Sequence, residues 1–254
     1  MKIGLALSGG GARGIAHIGV LKALEEMGIT ISILSGTSAG SIVGALYAYG
    51  YSPDKIFEIV KNVSIFRSVR PAWAWSGLLT MDGLKELLFH SIPENSFDIL
   101  KIPLRIAATE IRKGEVYYFD EGELIPAIVS SCSIPAVFNP VHYNGGLFVD
   151  GGLCDNLPSK AIAASCDFVI GSHCNPISNN FDAKNLKVVV ERSLLMAING
   201  NTSQSKAICD VVIEPKELNQ FSSFEMARAK EIFDIGYHYT IESFSKKDFQ
   251  KQPA

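Results

Sequence analysis

The chain has 254 residues, of which 47% are hydrophobic and 19% are charged, and its formal net charge is -3. This composition can bury a large core and excludes an intrinsically disordered chain, because disordered chains are poor in apolar residues. The near-balance of charge excludes the basic surface that nucleic-acid-binding proteins present. We therefore expect one domain over residues 1–254 and no nucleic-acid partner.

The cysteines and the apolar segments predict a cytoplasmic protein. The number of cysteines is odd and no C-x-x-C pair occurs, so we expect free thiols rather than a disulfide framework or a zinc cluster. They are Cys132, Cys154, Cys166, Cys174 and Cys209. The N-terminal apolar run is too short for a signal peptide, and no stretch reaches the roughly 18 uncharged apolar residues of a membrane span. Peripheral contact with a membrane surface is compatible with this pattern.

The first fifty residues alternate between strand and helix. The apolar run Ile3–Leu7 predicts a buried strand, and apolar residues at helical spacing predict a helix over Ala12–Met27. Ile31–Leu34 predicts a second strand, which leads through a short turn into a small-residue helix that ends near Tyr47. This order predicts an α/β fold with a parallel sheet and right-handed crossovers.

The remainder of the chain adds further strands and helices. Helices are predicted over Pro53–Val63, Asp82–Phe89, Leu124–Cys132, Ser159–Ala164 and Phe224–Phe244. Strands are predicted over Leu104–Thr109, Glu115–Phe119, Leu147–Val149, Asp167–Gly171 and Val211–Ile213, with the first two paired as a hairpin. The motifs described next fall within about residues 1–172, and residues 173–245 are expected to complete the fold. Residues 246–254 are a polar tail that we expect to fray.

The pentapeptide Gly36-Thr37-Ser38-Ala39-Gly40 stands where the second predicted strand gives way to a helix. In this context G-x-S-x-G forms a nucleophile elbow, a tight turn that requires small residues on both sides of the serine. The hydroxyl of Ser38 would then lie at the carboxyl edge of the sheet, near the positive end of the following helix. Alone, the pentapeptide also fits an ordinary turn into a packed helix. Its position after a parallel strand favours the elbow.

A second motif, Ser8-Gly9-Gly10-Gly11-Ala12-Arg13-Gly14, occupies the first strand-to-helix junction. Its glycines allow a sharp turn whose N–H groups converge on an anion, either a dinucleotide pyrophosphate or a tetrahedral oxyanion. The glycines satisfy G-x-G-x-x-G, but the next strand ends without the carboxylate that would hold a ribose. A P-loop is excluded because no Gly-Lys-Ser/Thr follows. An oxyanion loop beside Ser38 explains this motif better.

The third motif, Asp150-Gly151-Gly152, follows the predicted strand Leu147–Val149. Alone it fits an ordinary Asp-Gly turn. Together with the other two motifs, it makes Asp150 the candidate general base at the same edge of the sheet, where the glycines allow close approach.

Histidine is the usual base for a serine nucleophile, and the sequence contains five histidines. His17 follows the glycine loop within a helix and is expected to pack beside that loop. His142 precedes the strand that leads to Asp150 and is the alternative base, in a Ser-His triad. His90, His173 and His238 lie in no catalytic context and are expected to be surface or core residues.

In this order, the three motifs resemble those of the patatin-like phospholipases. The resemblance covers about the first 170 residues and includes the segments Ser130-Ser131-Cys132-Ser133-Ile134-Pro135 and Asn156-Leu157-Pro158. It implies a three-layer α/β/α sandwich with a mostly parallel central sheet, and a hydrolase that cleaves lipid esters without metal or cofactor. It also implies that Ser38 is the nucleophile and Asp150 the base. The resemblance also implies three groups of further site residues. They are Gly9, Gly10, Gly11, Ala12, Arg13 and Gly14 in the oxyanion loop, Gly36, Thr37, Ala39 and Gly40 in the elbow, and Gly151 and Gly152 beside the base. Within the oxyanion loop, Gly10 and Gly11 are the implied amide donors.

Two other functions fit parts of the pattern. A non-catalytic regulatory or binding protein could use the same scaffold, because folds can outlast their activities. The presence of both Ser38 and Asp150 disfavours that function. A dinucleotide-binding module is disfavoured by the missing ribose carboxylate.

Residues 65–79 form an aromatic segment without a clean helical or strand period. Both tryptophans, Trp73 and Trp75, lie here beside Arg67 and Arg70. Burial statistics favour a satellite core beneath a long connection. The functional hypothesis is that the segment lines or covers the substrate entrance, since tryptophan and arginine suit a membrane–water interface.

Overall fold

The protein is built around a mixed sheet of eight strands. The structure is a computed structural model and describes residues 1–61, 81–178, 181–183 and 186–243. The strands are β1 (Ile3–Leu7), β2 (Ile33–Thr37), β3 (Leu104–Glu110), β4 (Glu115–Phe119), β5 (Val141–Tyr143), β6 (Gly146–Asp150), β7 (Phe168–Ser172) and β8 (Val211–Ile213). The helices are α1 (Ala16–Glu26), α2 (Ala39–Tyr49), α3 (Pro53–Lys61), α4 (Asp82–Ser91), α5 (Leu124–Ser131), α6 (Lys160–Ala163), α7 (Leu186–Ile208) and α8 (Ala229–Ser243).

Parallel pairing joins β1, β2, β3, β7 and β8 into one half of the sheet. β1 lies between β2 and β7, and every residue of β1 and β2 is buried. Strands that are buried on both faces are typical of a parallel sheet covered by helices on its two sides. The predicted α/β class is therefore confirmed.

Helices cover both faces of this sheet. Successive side chains of a strand point to opposite faces, and β1 illustrates the result. Leu5 and Leu7 pack in the larger core, to which α1, α2, α5 and α8 contribute, whereas Ala6 packs in a smaller cluster with Ile162 of α6. The architecture is the three-layer α/β/α sandwich that the resemblance implied.

The sheet becomes antiparallel beyond β3. β4 pairs antiparallel with β3, which confirms the predicted hairpin, and β6 pairs antiparallel with β3 and β5. On β3, Ala107 is the partner of Thr37 and Ala108 is the partner of Asp150. The carboxyl ends of β2 and β6 therefore meet end to end along β3. Asp150 therefore lies near Ser38 because the antiparallel strand β6 ends where β2 ends. It is not carried by one of the parallel strands.

The C-terminal third differs most from the sequence-based expectation. The sequence does not predict α7, because its second half contains Gly200 and a run of asparagine, threonine and serine that are poor helix formers. The helix predicted over Phe224–Phe244 is shorter, since α8 begins at Ala229 after a 3₁₀ turn over Met226–Arg228. Among the helices described by the structure, none is long and apolar enough to cross a membrane.

Candidate active site

Ser38 lies in a strained turn between β2 and α2. Its backbone angles are φ 51° and ψ -121°, and a positive φ is uncommon for a residue other than glycine. A Cβ atom on Gly36 would lie 2.6 Å from the carbonyl oxygen of Gly40, and one on Gly40 would lie 2.3 Å from that of Leu7. The turn closes only with glycine at both positions, which is the steric condition of the nucleophile elbow predicted from the sequence.

Three hydroxyl groups hold the backbone around Ser38, and that of Ser41 donates to the Ser38 carbonyl at 2.6 Å. The hydroxyl of Ser131, at the end of α5, accepts the N–H of Ser38 at 2.8 Å and donates to the carbonyl of Ala107 at 2.6 Å. The hydroxyl of Thr37 donates to the carbonyl of Asp155 at 2.9 Å. Sequence reasoning assigned no role to Ser131, although the residue belongs to a segment that carries the resemblance.

Asp150 is buried beside the hydroxyl of Ser38. Burial raises the pKa of the Asp150 carboxyl from its ordinary value of 3.8 to about 6, and hydrogen bonds from the Gly152 amide and the Ser38 hydroxyl lower it in part. The amide of Gly152 donates to Asp150 Oδ1 at 2.8 Å, and the hydroxyl of Thr109 donates to the Asp150 carbonyl at 2.9 Å. The structure therefore brings together the predicted nucleophile and the predicted base.

The glycine loop leaves two amides available beside Ser38. Three other loop amides have acceptors: Gly9 donates to the Asn156 carbonyl at 3.1 Å, Ala12 to that of Ser223 at 2.8 Å and Arg13 to that of Gly10 at 3.2 Å. Among the described residues, the N–H groups of Gly10 and Gly11 have no acceptor. These are the two amides that the resemblance implies as oxyanion donors, and that role stays a prediction.

The remaining loop residues support the site from outside it. The guanidinium Nε of Arg13 donates to the carbonyl of Phe221 at 2.8 Å, so this buried side chain anchors the loop to the C-terminal part of the chain. Gly14 packs against the elbow, since a Cβ atom there would lie 2.5 Å from that of Ala39. These contacts assign Arg13, Gly14 and Ala39 to positioning of the loop and the elbow.

In the part of the chain that the structure describes, neither His17 nor His142 is hydrogen-bonded to Ser38 or Asp150. His17 is buried, donates from Nε2 to the Ser8 carbonyl at 2.9 Å and accepts at Nδ1 from the Ser172 hydroxyl at 2.7 Å. Burial lowers the pKa of His17 to about 4, so the ring is neutral and both nitrogens are occupied. His142 is exposed on β5, at the outer end of the sheet. This placement favours Asp150 over His142 as the partner of Ser38.

A thiol also lies close to the candidate nucleophile. Cys132 is buried, and its pKa is raised above the ordinary value, first by burial and then by the charge of Asp150. Its sulfur lies 3.9 Å from the hydroxyl of Ser41. A thiol that holds its proton so firmly is a poor nucleophile.

Two cavities meet at Ser38. The smaller has a volume of about 80 Å³ and is almost entirely apolar. Its lining includes Ile42, Val43, Leu84, Leu87, Phe138 and Met226. The larger has a volume of about 760 Å³ and is bounded by the glycine loop, Ser38 and Asp150 on one side and by α7 on the other. Ser38 therefore borders both cavities.

The polar half of α7 holds the loop that follows Asp150. The side-chain amide of Asn201 donates to the carbonyls of Gly152 and Leu153 at 3.0 and 3.1 Å, and its oxygen accepts the N–H of Asn156 at 3.1 Å. Sequence reasoning missed this role, because Asn199-Gly200-Asn201 is typical of a turn rather than of a helix.

Trp73 and Trp75 lie outside the described residues, so the entrance hypothesis for residues 65–79 stays a prediction. Within the described ranges, no cluster of three histidine, cysteine, aspartate or glutamate side chains is placed to hold a metal ion.

Comparison with known sequences points to one family. The sequence model of the family described as Patatin-like phospholipase matches residues 5–162. An uncharacterized NTE family protein of Mycobacterium bovis is 34% identical over 178 residues, which are 68% of this chain and 49% of that protein. Lysophospholipase NTE1 of Meyerozyma guilliermondii is 30% identical over 278 residues, which cover 96% of this chain and 19% of that protein. The chain thus spans about half the length of the mycobacterial relative.

Comparison with solved structures supports the fold. VipD from Legionella pneumophila superposes with a TM-score of 0.60 at 14% identity, over 95% of this chain and 67% of that chain. The type III effector protein ExoU superposes with a TM-score of 0.50 at 13% identity, over 98% of this chain and 54% of that chain. At these identities the likeness concerns the fold alone.

Proposed function

This chain belongs to the patatin-like phospholipase family, and from that premise we propose that it hydrolyses carboxylic ester bonds of lipids. Ser38 is the nucleophile and Asp150 the general base in this proposal. The observation that carries it is the buried contact between the Ser38 hydroxyl and the Asp150 carboxylate, in a cavity that Gly10 and Gly11 also line.

Attack on the ester requires that a base take the proton of the serine. Asp150 receives the proton of Ser38 as the serine oxygen bonds to the carbonyl carbon, and negative charge develops on the carbonyl oxygen. The amides of Gly10 and Gly11 stabilise that charge. Preorganised donors of this kind are worth roughly 10²–10³ in rate for each donor. An aspartate with a pKa of about 6 is ionised at neutral pH and still basic enough to act.

Breakdown of the tetrahedral intermediate releases the alcohol and leaves the acyl group on Ser38. Asp150 gives its proton to the leaving alkoxide. It then takes a proton from a water molecule, whose oxygen attacks the acyl carbon. As the bond to Ser38 breaks, Asp150 returns this proton to the serine oxygen, which releases the fatty acid and regenerates the free serine. Each step moves one proton between the same carboxylate and the reacting oxygen, so the cycle closes without a cofactor.

The cavities support a lipid as the substrate class. Apolar side chains dominate the lining of both, and burial of alkyl chains contributes about 0.8 kcal/mol for each CH₂ group. The fungal relative carries the name lysophospholipase. We therefore assign the chain a phospholipase A or lysophospholipase type of activity.

A serine-reactive fluorophosphonate probe tests the proposal directly. We expect stoichiometric labelling at Ser38, together with hydrolysis of a p-nitrophenyl acyl ester. Absence of labelling in a folded chain would indicate a non-catalytic binding protein. Tight binding of NAD or NADP in calorimetry, lost on substitution of Gly11, would instead identify a dinucleotide site.

A further inference from the structure

An apolar row on α7 leads from the protein surface to the candidate catalytic residues. The row comprises Leu186, Val190, Leu194 and Ile198, which all line the larger cavity. A spacing of four residues keeps these side chains on one face of the helix. Leu186 is 78% exposed, whereas Ile198 lies 3.6 Å from the position of a Cβ atom on Gly152. At 1.5 Å per residue, the row is about 18 Å long.

A second row on α7 faces solvent and is apolar at three of its four positions. It comprises Leu186, Val189, Ser193 and Met196, of which Val189 is 38% and Met196 58% exposed. The hydroxyl of Ser193 donates to the carbonyl of Val189 at 2.9 Å, so its hydrogen is used within the helix. A surface helix normally carries polar residues on its outer face. The two rows share Leu186 and form one continuous apolar surface.

An aromatic ring and an arginine border this surface. Phe181 is 42% exposed, and the guanidinium of Arg192 lies 5.3 Å from the centre of its ring. Arg192 also donates to the carbonyl of Ser178 at 2.6 Å. Arginine and aromatic side chains suit the boundary between hydrocarbon and lipid headgroups. We call the exposed apolar surface of Phe181, Leu186, Val189, Val190 and Met196 the α7 patch.

We propose that the α7 patch docks on a phospholipid bilayer and that the apolar row of α7 that lines the larger cavity receives the acyl chain from it. The inference rests on the proposed function, because a lipid substrate has to enter the cavity from an aggregate. The hydrocarbon core of a bilayer is roughly 30 Å thick, so one leaflet contributes about 15 Å. The row, at about 18 Å, is close to that depth. A protein seated on the patch would cover Leu186 and Val190 at the cavity mouth and block entry.

Vesicle binding without turnover tests the docking surface. The full chain with Ser38→Ala is compared with the same chain carrying Val189→Glu and Met196→Glu, by co-sedimentation with phosphatidylcholine vesicles. We expect partition to fall about tenfold or more, since two half-exposed apolar side chains are replaced by charged ones. Binding of the parent should depend little on salt. Val189→Leu with Met196→Leu should bind like the parent, and so should Ile241→Glu, which alters an exposed apolar residue on α8.

Hydrolysis of a soluble ester shows whether the variant is folded and catalytically competent, independently of its binding to vesicles. In chains that retain Ser38, the Val189→Glu, Met196→Glu variant should hydrolyse a short p-nitrophenyl ester within about twofold of the wild type, because neither residue lines the larger cavity. Failure of the parent to bind vesicles, or equal binding by the glutamate variant, would overturn the proposal. So would a parent dimer that the variant converts to a monomer, since the patch would then join two copies. Ester hydrolysis that survives Ser38→Ala would contradict the proposed function while leaving the vesicle result intact.

Discussion

The hydroxyl of Ser131 holds the backbone of Ser38 in its strained conformation, accepting its N–H at 2.8 Å while donating to the Ala107 carbonyl at 2.6 Å. One side chain thereby ties the end of α5 to the elbow and to β3. A non-glycine residue at an unusual φ costs about 1–3 kcal/mol and persists only where its surroundings fix it. We infer that Ser131 is a positioning residue for the nucleophile.

Ser131→Ala should therefore impair both stability and activity. It leaves the buried N–H of Ser38 and a carbonyl of β3 without this partner, which we expect to lower the free energy of unfolding by about 1–3 kcal/mol. The kcat for a soluble ester should fall about tenfold or more with KM little changed, because Ser38 is less well placed. Urea titration and steady-state kinetics measure the two effects.

Ser130→Ala is the matched control for this substitution. The neighbouring serine is equally buried, but its hydroxyl donates at 2.8 Å to the carbonyl of Pro126 within the same helix. We expect its kcat to stay within about twofold of the wild type. Equal kcat values for Ser130→Ala and Ser131→Ala would show that Ser131 does not position the nucleophile.

Ser38→Ala and Asp150→Asn should each abolish ester hydrolysis in a chain that stays folded. Because the two groups act as a unit, the double variant should lose little more than either single one. Turnover of a p-nitrophenyl ester and circular dichroism provide the measurements. His142→Ala is the control, since this exposed side chain should be dispensable. Retained turnover in Asp150→Asn together with loss in His142→Ala would identify a Ser-His triad instead.

The pH dependence of kcat/KM should report the ionisation of Asp150. Burial raises the pKa of this carboxyl to about 6, and only its ionised form can accept a proton. Activity should accordingly rise with unit slope below about pH 6 and level off above it. His17 should not contribute, because burial holds its pKa at about 4. A profile that declines as pH rises through this range would argue against a carboxylate base.

The sequence predicts the individual motifs well. It predicts only in part how the folded chain brings Ser38 and Asp150 together. Glycine spacing at Gly36 and Gly40 and the apolar run before them are local signals, so the elbow was evident. The end-to-end meeting of β2 and β6 depends on antiparallel pairing with β3, which is a long-range property. α7 escaped prediction because Asn201 and its neighbours favour turns in isolation and are helical here through tertiary hydrogen bonds.

Asp150→Asn should stabilise the fold at alkaline pH while it removes activity. The folded-state pKa of Asp150, about 6, lies above its ordinary value of 3.8, so the folded chain holds this proton more tightly than the unfolded chain does. The stability contributed by the protonated carboxyl is therefore full below about pH 4 and is lost as pH rises through about 6. At about 1.36 kcal/mol for each pKa unit, the ionised carboxylate costs up to about 3 kcal/mol at high pH.

Urea unfolding of the wild type and Asp150→Asn near pH 4 and pH 8 measures this difference. Asparagine keeps an oxygen that can accept the N–H of Gly152, and it carries no charge. The free energy of unfolding of the variant is therefore not lowered by burial of an ionised carboxylate. We expect the variant to exceed the wild type by about 1–3 kcal/mol near pH 8 and to match it near pH 4. An equal free energy of unfolding for the two chains at both pH values would mean that the pKa of Asp150 is not raised in the folded chain, because the cost of the charge and the raised pKa are the same free energy. Asp150 would then be no stronger a base than an ordinary carboxylate.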